Sequence, residues 1–427
     1  MAMRILQVIH RYPRTHGAGS ENYTRQICCE LSKRHTVAVV TRGSGFFDGP
    51  FGELFPANGY PHPVYRYFRH PRDTGIPERE YWNPGLDDAF QRFIHSWKPD
   101  IIHFQHAVEL SISLIHAAAR LRCPILFTLH DFWTLCPGIL MLNHRGRICE
   151  PKMTPDACRW CMFRSFHAPR ILASGQSLYR IRRERMREAL NRCDRILCPS
   201  MTLKTLVEDT DVPSERLIHW PFGINLEFSG TPKTPTDVIH HPIQFGYTGT
   251  LAHQKGVDIL LQAFLSLPPD LISRAELTVH GDDTADPSIQ RRVRHWKQTF
   301  NTPSIRFAGG YSPSDIERIH QSLDVAIVPS IWLENRPLTI LEAFAAGNPV
   351  VGSRIGGIEE MLQTGGGWLF APGSPDALRD VLSNIIQSPD TIGLCRKSIP
   401  VVPGVAEECQ RLEQIYSECI SGKTAIS

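Results

Sequence analysis

Two glutamates, Glu334 and Glu342, lie eight residues apart in the segment PSIWLENRPLTILEAFAAGNPVVGS (329–353). Pro337 between them suits the start of a helix, because a proline lacks the N–H that would have no partner there. Gly347 then predicts where this helix ends. The pattern places Glu334 in the loop before the helix and Glu342 inside it.

Carboxylates in these two positions could accept hydrogen bonds from the hydroxyl groups of a polyol. The first backbone amides of the predicted helix, at 337–339, would favour a phosphate group. The flanking runs at 325–330 and 349–351 read as buried strands, and ligands bind at the carboxyl ends of parallel strands. A sugar nucleotide carries both phosphates and hydroxyls. The alternative from spacing alone is two solvent-facing glutamates.

The chain has 427 residues, too many for one ordinary core, and this length predicts two domains. Its 46 basic and 43 acidic residues leave a net charge of +3, which argues against a nucleic-acid partner. The start, MAMRILQVIH, lacks the long apolar core of a signal peptide, and no run of about 18 apolar residues follows. We therefore expect a cytoplasmic protein whose twelve cysteines are thiols or metal ligands.

Strand-like runs alternate with helical patterns along the chain, in two series. The first series lies at 4–10, 36–42, 100–106, 124–131 and 195–200, and the second at 243–249, 276–283, 325–330, 349–353 and 367–372. This alternation predicts an α/β fold of two doubly wound, Rossmann-like domains. The predicted domains are 1–225 and 226–400, followed by a segment 401–427 whose helical pattern favours packing back on the first domain.

Four segments together resemble the GT-B glycosyltransferases of the large retaining group known as family 4. They are GAGSENYTRQICCEL (17–31), TLHD (128–131), GYTGTLAHQKGVDILLQAF (246–264) and ENRPLTILEAFAAGNPVVGS (334–353). The last is the most specific, because it matches the family's element of two glutamates separated by seven residues. The resemblance implies two domains facing across a deep cleft, with the acceptor on the first and the donor nucleotide on the second.

The resemblance also implies roles for single residues. Glu334 resembles the residue that binds the donor sugar, Lys255 the lysine that grips the diphosphate, and His130 the histidine that faces the reacting carbon. These three are the predicted catalytic residues. The predicted donor-binding residues are Gly17, Gly19, Gly249, Thr250, Arg336, Pro337, Leu338, Thr339 and Glu342.

One position departs from the family pattern. Many members have a Gly-Arg pair where this chain has Gly249 and Thr250. A threonine offers a hydrogen bond but no charge, so Arg336 or His253 is a candidate to supply the missing cation.

The function implied is transfer of a hexose-type sugar from a nucleotide-diphosphate donor, with retention at the anomeric carbon and without a catalytic metal. The departing phosphate would take the acceptor's proton on the same face. The acceptor would be a glycan, a lipid-linked sugar or a small molecule, as in polysaccharide biosynthesis.

Two alternatives come from other classes of protein. A nicotinamide-dependent dehydrogenase would explain GAGSEN after the first strand, but Asn22 occupies its third glycine position, and Thr41-Arg42 offers no acidic residue for a ribose. A zinc-containing binding module would explain the cysteines after position 136. It would leave the pattern at 334–353 unexplained.

A cysteine-rich insert near 131–165 follows His130. It contains Cys136, Cys149, Cys158 and Cys161, and the close C-x-x-C pair predicts a structural zinc site made by these four residues. Unliganded thiols and an iron–sulfur cluster are the alternatives. The zinc would order the insert and take no part in the chemistry.

The basic stretch RIRRERMR, from Arg180 to Arg187, is the remaining candidate. It reads most simply as a solvated helix face. Alternatively, it would rest on anionic lipid at the inner membrane face if the acceptor is membrane-bound.

Overall fold

Two parallel-rich sheets, each in its own structural unit, organise the chain. Unit 1 comprises Met1–Gly223 with Pro403–Ser427, and unit 2 comprises Ile224–Val402. The structure, a computed structural model, describes residues 2–14, 17, 19–43, 52–70, 77–121, 123–149, 158, 160–162, 170–224, 231–282, 287–300 and 302–424. The predicted boundary at 225/226 and part of the predicted insert 131–165 lie outside these residues.

The sheet of unit 1 has eight strands in the order β3-β4-β2-β1-β5-β6-β7-β8. All its pairings are parallel except that of β3 with β4. The central strands β1, β5 and β6 are buried almost throughout, as continuous apolar runs covered on both faces should be. The strands are β1 Arg4–Ile9, β2 Thr36–Arg42, β3 Leu54–Ala57, β4 Val64–Tyr67, β5 Ile101–Phe104, β6 Ile125–Thr128, β7 Arg195–Cys198 and β8 Leu217–His219.

Helices connect most of these strands. Ser200 caps the last helix before the end of the sheet, because its hydroxyl accepts a hydrogen bond from the Leu203 N–H at 3.1 Å. The helices are α1 Gly19–Leu31, α2 Asp87–Trp97, α3 Ser113–Ala119, α4 Arg170–Leu190 and α5 Met201–Glu208.

The sheet of unit 2 has six strands, all paired in parallel, in the order β11-β10-β9-β12-β13-β14. Its core is apolar and includes Phe245, Phe264 and Leu382. The loops at the carboxyl ends of β9 and β12, the two central strands, carry Lys255 and Glu334. The strands are β9 Ile243–Thr248, β10 Ala275–His280, β11 Ile305–Gly309, β12 Val325–Val328, β13 Val350–Ser353 and β14 Gly367–Phe370.

Unit 2 has eight described α-helices, and the last helix of the chain belongs to unit 1. They are α6 Val257–Leu265, α7 Pro269–Ile272, α8 Pro287–Thr299, α9 Ile316–Gln321, α10 Leu338–Ala345, α11 Gly356–Gln363, α12 Pro375–Gln387, α13 Asp390–Arg396 and, in unit 1, α14 Val405–Thr424. Among the described residues, none of these helices combines the length and the apolar character needed to cross a membrane.

The last helix, α14, packs against α1 within unit 1. The Tyr23 hydroxyl on α1 donates to Glu408 Oε1 on α14 at 2.7 Å, and the indole N–H of Trp220 donates to the same oxygen. Tyr416, also on α14, is fully buried and reaches the sheet at His103. A buried carboxylate that accepts two hydrogen bonds holds this helix in one register.

Candidate functional site

The loop that follows β12 carries most of the site in unit 2. Glu334 lies in this loop with only 5% of its surface exposed. Its carboxylate atom Oε1 accepts three hydrogen bonds: from Lys255 Nζ at 2.7 Å, from the Ser330 hydroxyl at 2.8 Å and from the Trp332 indole N–H at 2.9 Å. A buried carboxylate needs such partners, because without them its desolvation would be costly.

Lys255 reaches Glu334 because a backbone hydrogen bond connects the loop after β9 to the loop after β12. Lys255 ends a single 3₁₀ turn, His253–Lys255, after β9, and the Ile331 N–H donates to the Gln254 carbonyl at 2.9 Å. Gly256 follows with φ +72°, where a Cβ would lie 1.9 Å from the Pro329 carbonyl oxygen. The ammonium also lies 5.3 Å from the centre of the Trp332 ring, a cation–π contact.

Two helix N-termini lie next to Glu334. Pro337 is the N-cap residue of α10, so the amides at its start are those of Leu338 and Thr339. This corrects the predicted helix start by one residue; Pro337 has ψ 121°, which is extended backbone. At the start of α11, the Gly357 N–H donates to the Glu334 carbonyl at 2.8 Å.

Glu342 lies on α10, a little less than one turn after Thr339. Burial raises the pKa of its carboxyl to about 7. Burial also raises the pKa of the nearby Tyr311 phenol, and the charge of Glu342 adds to that shift. The carboxyl and the phenol are therefore close enough to interact.

The position of the missing arginine is exposed. Gly249 has φ +148°, and the carbonyl of Thr250 accepts a hydrogen bond from the Tyr247 hydroxyl at 2.6 Å. The Thr250 side chain is exposed. Arg292 on α8 donates to the Leu251 carbonyl at 3.2 Å, so a cation does reach this loop, from a residue that the sequence did not indicate. Arg336 is half-buried.

In unit 1, His130 follows β6, and its Nε2 lies 2.7 Å from Gln105 Oε1. Burial lowers the pKa of His130 to about 3, with a further contribution from His106, so the ring is neutral at pH 7. His106 accepts a hydrogen bond from the Val108 N–H at Nδ1, and its Nε2 therefore donates to Asp131 at 2.9 Å. A small pocket is lined by Gln105, His106, His130 and Asp131 among others.

The two predicted glycines lie at the start of α1. Gly19 is the first residue of that helix, and Gly17 is exposed. The Asn22 side chain both accepts from the Gly17 N–H at 3.0 Å and donates to the Gly17 carbonyl at 2.8 Å. Asn22 thus stabilises the backbone at Gly17 through two hydrogen bonds.

The prediction of a structural zinc at Cys136, Cys149, Cys158 and Cys161 is not supported. Within the described residues, no group of three or more His, Cys, Asp or Glu side chains is placed to hold a metal ion. Burial raises the pKa of Cys149 to about 12 and that of Cys158 to about 11, and the neighbouring cysteines of the four add to both shifts. Cys136, Cys149 and Cys158 line a pocket with apolar residues such as Met141, and here they act as small hydrophobic side chains.

The basic stretch at 180–187 is not one solvated face. Arg182 is buried and donates to the Trp133 carbonyl, and the guanidinium of Arg185 lies 4.2 Å from the ring centre of Trp82. Arg180 and Arg183 are exposed beside Ile181, which is 44% exposed. Membrane contact through this stretch stays a prediction.

Several residues of the site were missed by the sequence analysis: Gln105, His106, Asp131, Arg292, Tyr311, Ser330 and Trp332. Gln105 and His106 each lie 25 residues from their partners His130 and Asp131. Ser330 and Trp332 lie only four and two residues from Glu334, but their residue types do not indicate a site. The one available signal was position: Gln105 and His106 end a strand-like run, and Asp131 ends another. Polar residues at the ends of parallel strands are candidates for a site.

Comparison with known proteins assigns both halves of the chain. The family model described as Glycosyltransferase Family 4 matches residues 17–228, and the model described as Glycosyl transferases group 1 matches residues 235–398.

Individual relatives are more distant. An uncharacterized glycosyltransferase of Methanocaldococcus jannaschii is 31% identical over 170 residues, covering 37% of this chain and 40% of the relative. The lipopolysaccharide 1,2-N-acetylglucosaminetransferase of Salmonella typhimurium is 28% identical over 222 residues, covering 49% of this chain and 57% of the relative. The chain thus spans about half the length of these curated relatives.

The fold is also that of solved glycosyltransferase structures. The Anabaena protein HepE in complex with UDP superimposes with a TM-score of 0.67 at 16% identity, over 97% of this chain and 100% of HepE. This likeness concerns the fold. Because the two family matches together cover most of the sequence, the chain belongs to the group 1 glycosyltransferases of GT-B fold.

Proposed function

We propose that this protein transfers a hexose-type sugar from a nucleotide-diphosphate donor to a glycan, lipid-linked or small-molecule acceptor, with retention at the anomeric carbon. The observation that carries the proposal is the Lys255–Glu334 pair beside the first amides of α10. It joins a cation, a carboxylate and helix N–H groups within unit 2, and these are partners for a diphosphate and for sugar hydroxyls. UDP bound to the similarly folded HepE supports a nucleotide donor.

Each residue has a part in this mechanism. Glu334 accepts hydrogen bonds from the donor sugar, and Lys255 stabilises the negative charge that develops on the leaving diphosphate. Leu338 and Thr339 offer their backbone N–H groups to the same phosphates. Glu342 accepts from the ribose hydroxyls.

His130 in unit 1 is neutral and sits at the pocket with Asp131 and His106, and these residues are the candidates to contact the acceptor or the reacting sugar. Because the His130 ring carries no charge at pH 7, its part is hydrogen bonding to a hydroxyl. We assign the proton of the acceptor to the departing phosphate oxygen on the same face, as the family resemblance implies.

Nucleotide binding is the first test. We expect UDP, GDP or ADP, or the sugar nucleotide of one of them, to raise the thermal stability, since a ligand at a hundred times its dissociation constant adds about 2.7 kcal/mol. Differential scanning fluorimetry with these ligands, NAD and an oligonucleotide separates the proposed function from its alternatives. Stabilisation by NAD alone would favour the dehydrogenase, and stabilisation by the oligonucleotide alone would favour a nucleic-acid-binding module.

Stereochemistry tests the mechanism. With the donor identified by its slow hydrolysis in the absence of acceptor, proton NMR of the earliest product should show the α configuration of an α-linked donor preserved. Early sampling matters, because free sugars mutarotate. A β product formed first would exclude the retaining mechanism and leave the family assignment intact.

A further inference from the structure

A buried chain of hydrogen bonds connects His130 to the C-terminal helix α14 within unit 1. Gln105 Oε1 lies 2.7 Å from His130 Nε2, and Gln105 Nε2 donates to Gln7 Oε1 at 3.0 Å. Gln7 Nε2 donates in turn to the Tyr416 hydroxyl at 3.2 Å. Gln7, Gln105 and Tyr416 have no exposed surface, so each polar group depends on its neighbour in the chain.

The contacts of Tyr416 determine which group donates and which accepts in each of these hydrogen bonds. The Tyr416 hydroxyl lies 2.7 Å from His103 Nδ1, and His103 Nε2 lies 2.8 Å from the Thr128 hydroxyl. A phenol is a good donor and an imidazole nitrogen a good acceptor, so Tyr416 donates to His103 Nδ1. The oxygen of Tyr416 then accepts from Gln7, which leaves Gln7 Oε1 to accept from Gln105.

The same assignment of donors and acceptors extends to the hydrogen bond between Gln105 and His130. Since the amide nitrogen of Gln105 donates to Gln7, the atom that faces His130 is the Gln105 oxygen, which can only accept. We propose that Gln105 is a positioning residue that holds His130 as the tautomer with its hydrogen on Nε2, through a hydrogen-bond chain that ends at Tyr416 on α14. The role of His130 toward a substrate rests on the proposed function. The assignment of its tautomer rests only on the hydrogen bonds.

The tautomer decides what His130 can do. With the hydrogen of Nε2 engaged by Gln105, the lone pair of the neutral ring is on Nδ1, and a hydroxyl group can donate to the ring only there. His130 would then accept a hydrogen bond from a substrate hydroxyl and would not protonate a leaving group. Fixing a ring by hydrogen bonding its other nitrogen is how proteins select one histidine tautomer.

The tautomer can be measured directly on the full chain. Protein labelled with ¹⁵N-histidine is recorded in long-range ¹H–¹⁵N correlation spectra, and a His130→Gln difference spectrum assigns the ring. Protonated and unprotonated ring nitrogens have well-separated ¹⁵N shifts. We expect Nε2 of His130 to be the protonated nitrogen. A ring protonated at Nδ1 would overturn the proposal.

Variants test the part of Gln105. Gln105→Met keeps the length of the side chain and removes the acceptor, so we expect His130 to lose its single tautomer and kcat to fall about tenfold, with the donor KM little changed. Gln105→Glu keeps an acceptor and should keep the Nε2–H form. Thr128→Val is the matched control: it should change the signals of His103 and leave those of His130 unchanged.

The outcomes separate the two claims. An unchanged His130 spectrum in the folded Gln105→Met variant would overturn the assignment to Gln105. A protein that shows the expected tautomer but transfers no sugar would contradict the proposed function alone. Sugar transfer by a protein with the opposite tautomer would contradict this inference alone.

Discussion

Glu334→Gln should lower sugar transfer by at least about a hundredfold while leaving the protein folded, because it removes a preorganised charge at the reacting sugar. The glutamine keeps the shape of the side chain and can still accept from Ser330 and Trp332. It loses the charge that pairs with Lys255 at 2.7 Å. The measurement is steady-state transfer with the donor found by thermal stabilisation.

Lys255→Met should cost transfer a similar factor, because the leaving diphosphate then lacks its cation. The two residues contact each other, so their effects should not be additive. The double variant Glu334→Gln, Lys255→Met should be about as slow as the slower single variant, as for groups that act as a unit. Transfer by all three variants gives the coupling.

An exposed ion pair in the same unit provides the control. Arg379 on α12 pairs with Asp376 at 2.8 Å, and Arg379→Ala should leave transfer within about twofold of wild type, since exposed pairs contribute little. Near-wild-type turnover of folded Glu334→Gln and Lys255→Met would exclude unit 2 as the donor site.

The buried central strands of both sheets could be predicted from the sequence, and most of the edge strands could not. The predicted strand at 36–42 coincides with β2, and the run at 195–200 contains β7. Ser200, the last residue of that run, is the N-cap of the next helix. The strands β3, β4, β8 and β11 were missed. Three of them, β3, β8 and β11, lie at the edges of their sheets, where few buried positions create a pattern.

The site was predicted only as far as local patterns reach. The motif at 334–353 located Glu334 and Glu342, because both belong to one loop and one helix. The partners Ser330 and Trp332 lie in the same loop, yet nothing in their types showed that both would donate to one carboxylate oxygen. Tyr416 and His103 are 313 residues apart, and only the packing of α14 brings them together.

The zinc prediction found no support among the described residues, and cysteine spacing by itself contains no information on burial. Cys136, Cys149 and Cys158 are buried beside apolar residues such as Met141, where burial favours the neutral thiol. Metal ligation requires thiolates arranged around one point. The C-x-x-C pattern predicted proximity, and the described residues lack the arrangement.

Glu342 should make the stability of unit 2 depend on pH. The pKa of its carboxyl is about 7 in the folded chain, above its usual value of 4.5, because burial disfavours the charge. The stability that the protonated carboxyl contributes to the folded chain is fully present below about pH 4.5, and it is lost as the pH rises through 7. At pH 8 the buried charge costs at most about 3 kcal/mol. Glu342→Gln should therefore raise the melting temperature at pH 8 and leave it unchanged at pH 4.5.

The same carboxyl should make nucleotide binding depend on pH in the opposite sense. Ribose hydroxyls donate to a carboxylate, so binding favours the deprotonated form, and affinity should rise as the pH rises through about 7. Each binding event near pH 7 should release part of a proton, which calorimetry in two buffers of different ionisation enthalpy detects. In Glu342→Gln, affinity should fall about tenfold at pH 8, since a hydrogen bond to a charged group contributes about 1.5–3 kcal/mol.

Asp376→Asn, a substitution of an exposed acid on α12, is the control for both measurements, and it should preserve the pH slope of binding. The two effects of Glu342 are opposed because one carboxyl is costly to ionise in the empty site and useful when ionised in the occupied one. That opposition is typical of a residue selected for binding at the expense of stability. A wild-type affinity that does not change between pH 6 and 8, or a variant that keeps the wild-type slope, would remove Glu342 from the ribose site and leave it a buried acid of α10.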